Sequence, residues 1–206
     1  MHMKKKEYSY EYEDKENSYC YPGTNILRNK FDLTDENALH AAEKECTMAR
    51  YFELEKRNVT GNFDFKHLCS IHEYIFQDVY MWAGKPRTVD ISKGTVFCLT
   101  QFIEPQFDEL YKKLKKENFL KGIFEIEVMA ERVAYYLGEL NMIHPFREGN
   151  GRTQRMYIEQ LCRNNGRFEI HFSKISKDEM IQASIETSVC NYTLMRSLIL
   201  RSLSKI

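Results

Sequence analysis

Apolar residues recur at helical spacing along most of this 206-residue chain. Across 35–56, Leu39, Ala42, Cys46, Ala49, Tyr51 and Phe52 keep that period, and across 65–80 Leu68, Ile71, Ile75 and Val79 repeat it. Both stretches predict amphipathic helices. Periodicity returns over 105–116, and a stronger stripe at Ile126, Met129, Val133, Leu137 and Leu140 carries His144 to the end of a buried helix. Residues 141–151 cannot continue that helix, because Pro145 lacks a backbone donor and Gly149-Asn150-Gly151 is turn chemistry. A new helix is predicted from about Arg152 to the stop at Asn165-Gly166, followed by helices over 176–188 and 192–203. Trp82-Ala83-Gly84-Lys85-Pro86 breaks the pattern earlier. After it, residues 88–92 and 96–99 read as two short strands around a Lys93-Gly94 turn, the one hairpin signal in the chain. Residues 4–22 are polar and rich in tyrosine, which predicts an irregular arm that wraps the domain and ends at the Tyr21-Pro22-Gly23-Thr24 turn.

Composition narrows this picture. The length fits one domain, here an arm over 1–20 and a folded unit over 21–206. Thirty Lys and Arg balance thirty Asp and Glu, so the excess of positive charge that phosphate-backbone binding requires is missing, and anion binding must be local. No apolar run reaches the ~18 residues of a membrane span, and the Lys-rich start, in which Met1-His2-Met3 reads as a cloning scar, has no apolar segment behind it. The six cysteines form no C-x-x-C pair and there is no clustered histidine, which argues for reduced thiols rather than zinc or a disulfide framework. A cytoplasmic protein is expected, with delivery into a host cell by a route that leaves no readable signal as the other setting.

The chemistry is concentrated in His144-Pro145-Phe146-Arg147-Glu148-Gly149-Asn150-Gly151-Arg152-Thr153-Gln154-Arg155. Two glycines around Asn150 let the backbone fold closely about a ligand, and the helix behind them offers unpaired N–H groups and the positive end of its dipole, which together make an anion cradle. Arg152 and Arg155, spaced i, i+3, lie on one face of the first turn and can grip successive phosphates. Glu148 is placed for a Mg²⁺ that keeps most of its waters. His144 brings an imidazole suited to taking a proton from an attacking hydroxyl, while Phe146 anchors the loop in the core. Each residue also has an ordinary structural explanation, Arg155 pairing with Glu159 among them; base, metal ligand, cradle and two phosphate clamps together describe phosphoryl or nucleotidyl transfer.

This segment resembles the signature of the Fic domain family, H-x-F-x-(D/E)-G-N-G-R-x-x-R, at all eight fixed positions: His144, Phe146, Glu148, Gly149, Asn150, Gly151, Arg152 and Arg155. Tyr21-Pro22-Gly23-Thr24-Asn25 with Leu27, Asn29 and Lys30 is similar to the family's opening segment, and Trp82-Ala83-Gly84 leading into Ile91-Ser92-Lys93-Gly94 is similar to its flap, so the likeness covers about 20–203. It implies an all-α fold of about eight helices with one small β-hairpin, and transfer of AMP from Mg·ATP to a Ser, Thr or Tyr hydroxyl of a target protein, with modification of its own chain as a side activity. By the same resemblance, His144 deprotonates the hydroxyl and Glu148 holds the Mg²⁺. Gly149, Asn150 and Gly151 form the anion hole for the α-phosphate, Arg152 and Arg155 hold the β- and γ-phosphates, and the flap at 88–98 clamps the target by strand pairing. Asn191 and Tyr192 are the candidates for the base pocket. Two other readings are an ATP-dependent binding module without turnover, and a Fic enzyme with another donor such as a phosphocholine carrier or a different nucleotide.

Fic proteins are commonly inhibited by a helix bearing (S/T)-x-x-x-E-(G/N), whose glutamate pairs with the second motif arginine. No complete copy is present here. Asp32-Leu33-Thr34-Asp35-Glu36-Asn37 has the Glu-Asn half with aspartate where Ser or Thr belongs, and Ser184-Ile185-Glu186 has the wrong spacing. Glu36 reads as first-turn helix charge. Inhibition is therefore expected from a separate, small antitoxin-like protein.

Overall fold

A computed structural model of the chain describes residues 11–12, 19–57, 59–92 and 96–206; the turn at Lys93-Gly94 and most of the predicted arm lie outside them. The predicted stripe becomes α4 (Ile126–Ile143), whose Met129, Val133, Leu137 and Leu140 are all buried. Around it pack α3 (Ile103–Lys116), α5 (Asn150–Asn165), α6 (Lys177–Thr187) and α7 (Thr193–Ser202), while α1 (Glu36–Lys56) and α2 (Phe65–Phe76) cover the α5 side. The described residues thus hold seven α-helices, in line with the expected all-α class.

Local chemistry sets the helix ends. The Asp35 carboxylate accepts from the Ala38 N–H to start α1, Asp64 accepts from the His67 N–H to start α2, and Ser176 with Glu179 forms a complete capping box on α6. Helix α2 stops at Phe76, short of the predicted Tyr80: the N–H groups of Val79 and Tyr80 both turn back to the Phe76 carbonyl, and Lys30 satisfies the free carbonyls beyond the helix end, its N–H donating to Val79 and its ammonium to Gln77. The buried face of α1 also differs from the apolar stripe read in the sequence. Leu39, Glu43, Thr47 and Leu54 are the buried residues, whereas Ala49 and Phe52 are exposed, because two polar side chains of this face serve the motif on α5.

The strands are shorter than predicted, and one pair was not anticipated. Among the described residues the flap closes through one antiparallel bridge, Ser92 to Val96, with the Phe97 N–H donating to the Ile91 carbonyl. On the other edge of β2 (Ile91–Ser92) lies β1 (Glu11–Tyr12), antiparallel, with Glu11 opposite Ser92 and Tyr12 opposite Ile91. Part of the arm read as irregular is therefore a strand, satisfying an edge that would otherwise stay open. At the C-terminus, the helix predicted to 203 ends at Ser202, and β4 (Leu203–Lys205) pairs with β3 (Phe168–Ile170). Alternating burial on β3 and the buried Leu203 account for this: the last residues bury side chains against the core instead of extending the helix.

Candidate active site

Helix α4 ends where His144 adopts a left-handed conformation, φ 46° and ψ 60°, and this turns the chain into the motif loop. The imidazole Nδ1 lies 3.0 Å from the Asn141 carbonyl, which can only accept, so Nδ1 carries the proton and Nε2 is the basic nitrogen of the neutral ring. Phe97 of the flap stacks on the same ring at a centroid distance of 3.8 Å. Two residues on, Phe146 is buried as expected, against the imidazole of His72 at 3.9 Å.

Asn150 closes the loop. Its Oδ1 accepts from the Phe146 N–H at 2.9 Å and its Nδ2 donates to the Phe146 carbonyl at 2.7 Å, so this buried amide shapes the cradle through the main chain. Gly149, at φ 80°, begins α5 without a side-chain cap, and its N–H donates to the Glu148 carboxylate at 2.8 Å. The N-terminus of α5 thus already holds one anion, the role the cradle is expected to play for a phosphate.

The two motif arginines take different partners. Arg152 donates to Glu43 at 2.6 Å and to Thr47 at 2.9 Å, lies 3.6 Å from Glu148, and sits over the Phe76 ring at 4.6 Å. Arg155, one turn on, is flanked by Tyr51 and Glu159, and burial followed by the nearby Arg152 charge pushes its guanidinium below the ordinary value. Glu159 does not serve Arg155 alone, since it accepts from Tyr51 at 2.7 Å and pairs with Arg163 at 3.4 Å. Two cations on one helix turn, near the positive end of its dipole, call for an anion between them.

A model of the Fic/DOC family matches residues 62–162. The chain is 36% identical over 173 residues to the probable protein adenylyltransferase y4lH of Sinorhizobium fredii, a match covering 84% of this chain and 88% of that one. This chain belongs to the Fic/DOC family. It is also 39% identical over 195 residues to the protein adenylyltransferase VbhT of Bartonella schoenbuchensis; the match takes in 94% of this chain, which spans 40% of the length of VbhT. Among solved structures, BepC of Bartonella tribocorum, a VirB-translocated effector holding bound AMPPNP, superposes with a TM-score of 0.86 at 28% identity, over 94% of this chain and all of that one.

The Fic motif opens into a cleft of about 1300 Å³ lined by His144, Gly151, Arg152 and Arg155, by Lys44, Thr47 and Tyr51 of α1, and by Met180, Ile181 and Ile185 of α6. The motif side of this cleft carries the arginines and the α6 side mixes Met180, Ile181 and Ile185 with Ser176, Ser184 and Ser188. Asn191 and Tyr192 do not line it: the Tyr192 hydroxyl donates to Glu139 and its ring packs on Tyr135 and against Gly138. For a metal, Glu148 is a partly buried carboxylate beside Arg152, and the described residues contain no cluster of three or more ligands. That donor set fits a Mg²⁺ held largely by phosphate oxygens and water, and does not fit an all-protein cage.

Two functional positions escaped the sequence reading. Glu43, 8% exposed, accepts from Arg152 and from the Tyr80 hydroxyl; its signal was a Glu-x-x-x-Thr pair on the buried face of α1, four residues apart and facing Arg152 together. His72 accepts from the Gly84 N–H at Nδ1, 2.8 Å, and donates from Nε2 to the Glu148 carbonyl at 3.1 Å, joining the Trp82-Ala83-Gly84 turn to the motif loop. Burial pushes this imidazole down to about 3. An unfolded histidine titrates near 6.5, so between pH 6.5 and about 3 the unfolded chain binds the extra proton; the stabilisation is whole above that window and is lost as pH falls through it. Urea unfolding at pH 6.5 and 5.0 is expected to show a loss of about 2 kcal/mol from this group. His72→Gln, less stable at neutral pH, should show a correspondingly flatter acid slope, and equal slopes would mean that another group is responsible.

Proposed function

We propose that this chain transfers AMP from ATP to a Ser, Thr or Tyr hydroxyl of a target protein, with its own chain as a secondary acceptor. The observation that carries the proposal is the basic Nε2 of His144, fixed by the Nδ1 bond to Asn141, in one cleft with the N-terminus of α5 and both motif arginines. The target oxygen attacks the α-phosphorus while its proton passes to Nε2 of His144. The bond between the α-phosphorus and the bridging oxygen breaks, and pyrophosphate leaves with the negative charge that Arg152 and Arg155 are placed to hold. Glu148 would hold the Mg²⁺, which neutralises phosphate charge when bound. The purine lies toward Ile181 and Ile185. The names of VbhT and y4lH as adenylyltransferases and the AMPPNP in BepC support this donor over a phosphocholine carrier.

The target is delivered as an extended segment on the flap. In support, the edge of β2 accepts an extended chain, that of Glu11–Tyr12, whose place a target segment would take. Strand pairing reads main chain, so the flap orients a hydroxyl without prescribing its sequence. Inhibition by a separate small antitoxin-like protein is the regulatory reading. Glu36 is an exposed first-turn residue of α1, seven residues ahead of Glu43, whereas Met48 and Phe52 present exposed apolar surface at the rim of the cleft. No disulfide joins any of the six cysteines, in keeping with a cytoplasm, that of the producing cell or of a host, as the place of reaction. No helix among the described residues is long and apolar enough to cross a membrane.

The test uses the full chain with Mg²⁺, a bacterial or host lysate, and ATP labelled at either the α- or the γ-phosphate. Protein-bound label from the α position alone is expected. Label from the γ position would make the chain a kinase, and no label despite AMPPNP binding, with Glu36→Gly equally silent, would favour a binding module.

A further inference from the structure

We propose that Arg87 is a positioning residue that ties the flap to His144, so that seating a target on β2 and placing the imidazole are one mechanical event. This rests on the reading of the flap as the target-docking edge. Arg87 is 3% exposed. Its Nε donates to the carbonyl of His144 at 2.9 Å, its Nη1 to the carbonyl of Val89 at 2.9 Å, and its Nη2 to the carbonyl of Cys98. Its own N–H donates to the Pro145 carbonyl at 2.8 Å. The nearest carboxylate is that of Asp90, half exposed and 3.6 Å from Nη1.

Val89 and Cys98 are the two stems of the flap, one leading into β2 and the other leaving the Ser92–Val96 bridge. His144 is the residue whose left-handed backbone aims the proposed base. One buried planar cation therefore bridges three carbonyls from three segments, which are also joined here by the Phe97 ring on the imidazole and by the Cys98 N–H on the Met142 carbonyl. Holding the His144 carbonyl fixes its ψ, and ψ decides how the loop leaves α4 and where the ring stands. A target strand that takes the place of β1 on the edge of β2 loads the same stems. The device needs the forked donors of a guanidinium: an ammonium keeps the charge but is a point donor on a flexible stem and cannot span three carbonyls in a plane.

The test compares wild type, Arg87→Lys and Arg87→Gln as full chains, both variants being made so that one folded variant suffices. Three quantities are measured: AMPPNP affinity by calorimetry, the rate of α-label transfer to the most strongly labelled lysate protein across pH 5.5–8.5, and the ¹⁵N signals of His144, assigned with His144→Ala. Transfer should fall about 100-fold, the scale on which misplacing a reacting group acts. AMPPNP affinity should stay within about twofold, because Arg87 lies away from the phosphate cleft. The pH profile of transfer and the His144 tautomer signals should move together. A merely structural arginine would lower the melting temperature and leave the profile and the His144 signals of the folded fraction in place, and that result would overturn the proposal. If wild type itself transfers nothing, the adenylyl-transfer reading fails, and the His144 signals alone decide on Arg87: unchanged signals in a folded variant refute it.

Discussion

Replacing His144 with alanine is expected to lower AMP transfer by about 10²–10⁴-fold while leaving AMPPNP affinity within about twofold of wild type. The two parts of the expectation come from different elements. The proposed base is on the turn after α4, with its Nδ1 proton given to Asn141, whereas the groups proposed to hold phosphate belong to α5, where Glu43 and Thr47 of α1 brace Arg152. Removing the imidazole takes away the proton acceptor and the partner of Phe97, but leaves the Asn150 bonds that shape the cradle. The comparison is made by single-turnover transfer of α-label alongside calorimetry. Transfer within tenfold of wild type would remove His144 from the role of base. Loss of both activities together would mean that the ring supports the loop itself.

The second large effect is expected at Gly149→Ala. A Cβ built on Gly149 falls 2.1 Å from Cζ of Phe76, and the backbone there has φ +80°, so side-chain overlap and backbone strain act at one position. Phe76 is fully buried and carries Arg152 on its face, so it has little room to withdraw. Overpacking of this kind costs about 1–3 kcal/mol and the left-handed backbone about 1–2 kcal/mol more. In a domain of this size that corresponds to a melting temperature lower by roughly 5–15 °C. Calorimetric melting with and without AMPPNP measures it, and nucleotide rescue should be weaker than in wild type because the cradle has moved. A variant that melts with wild type would show that the loop does not press on α2.

The all-α class and the motif loop were legible in the sequence because each rests on a local rule, a 3.6-residue apolar period for α4 and turn residues followed by a new helix for 141–151, although α4 runs on to Ile143 and α5 already starts at Asn150. What was not legible depends on partners distant in the chain. Glu43 and Thr47 interrupt an apolar stripe for the sake of an arginine 109 and 105 residues away. Leu203 leaves a helical pattern to join a strand that starts at Phe168. His72 and Arg87 carry no motif of their own, and their importance lies in which carbonyls and amides they meet. The flap stems have the same origin, since they are held by Arg87 and by the Met142 carbonyl as well as by each other.

The left-handed backbone of His144 also bears on how this sequence can drift. Asparagine and glycine visit that region routinely, and for a histidine it is among the sparsely populated conformations that cost of order 1–3 kcal/mol. Selection for stability alone would therefore favour glycine at the turn after α4. The site is locally frustrated, with the strain at position 144 offset by Arg87 on its carbonyl and Phe97 on its ring, and an inactive descendant released from chemistry would relax there before it relaxed elsewhere in the motif.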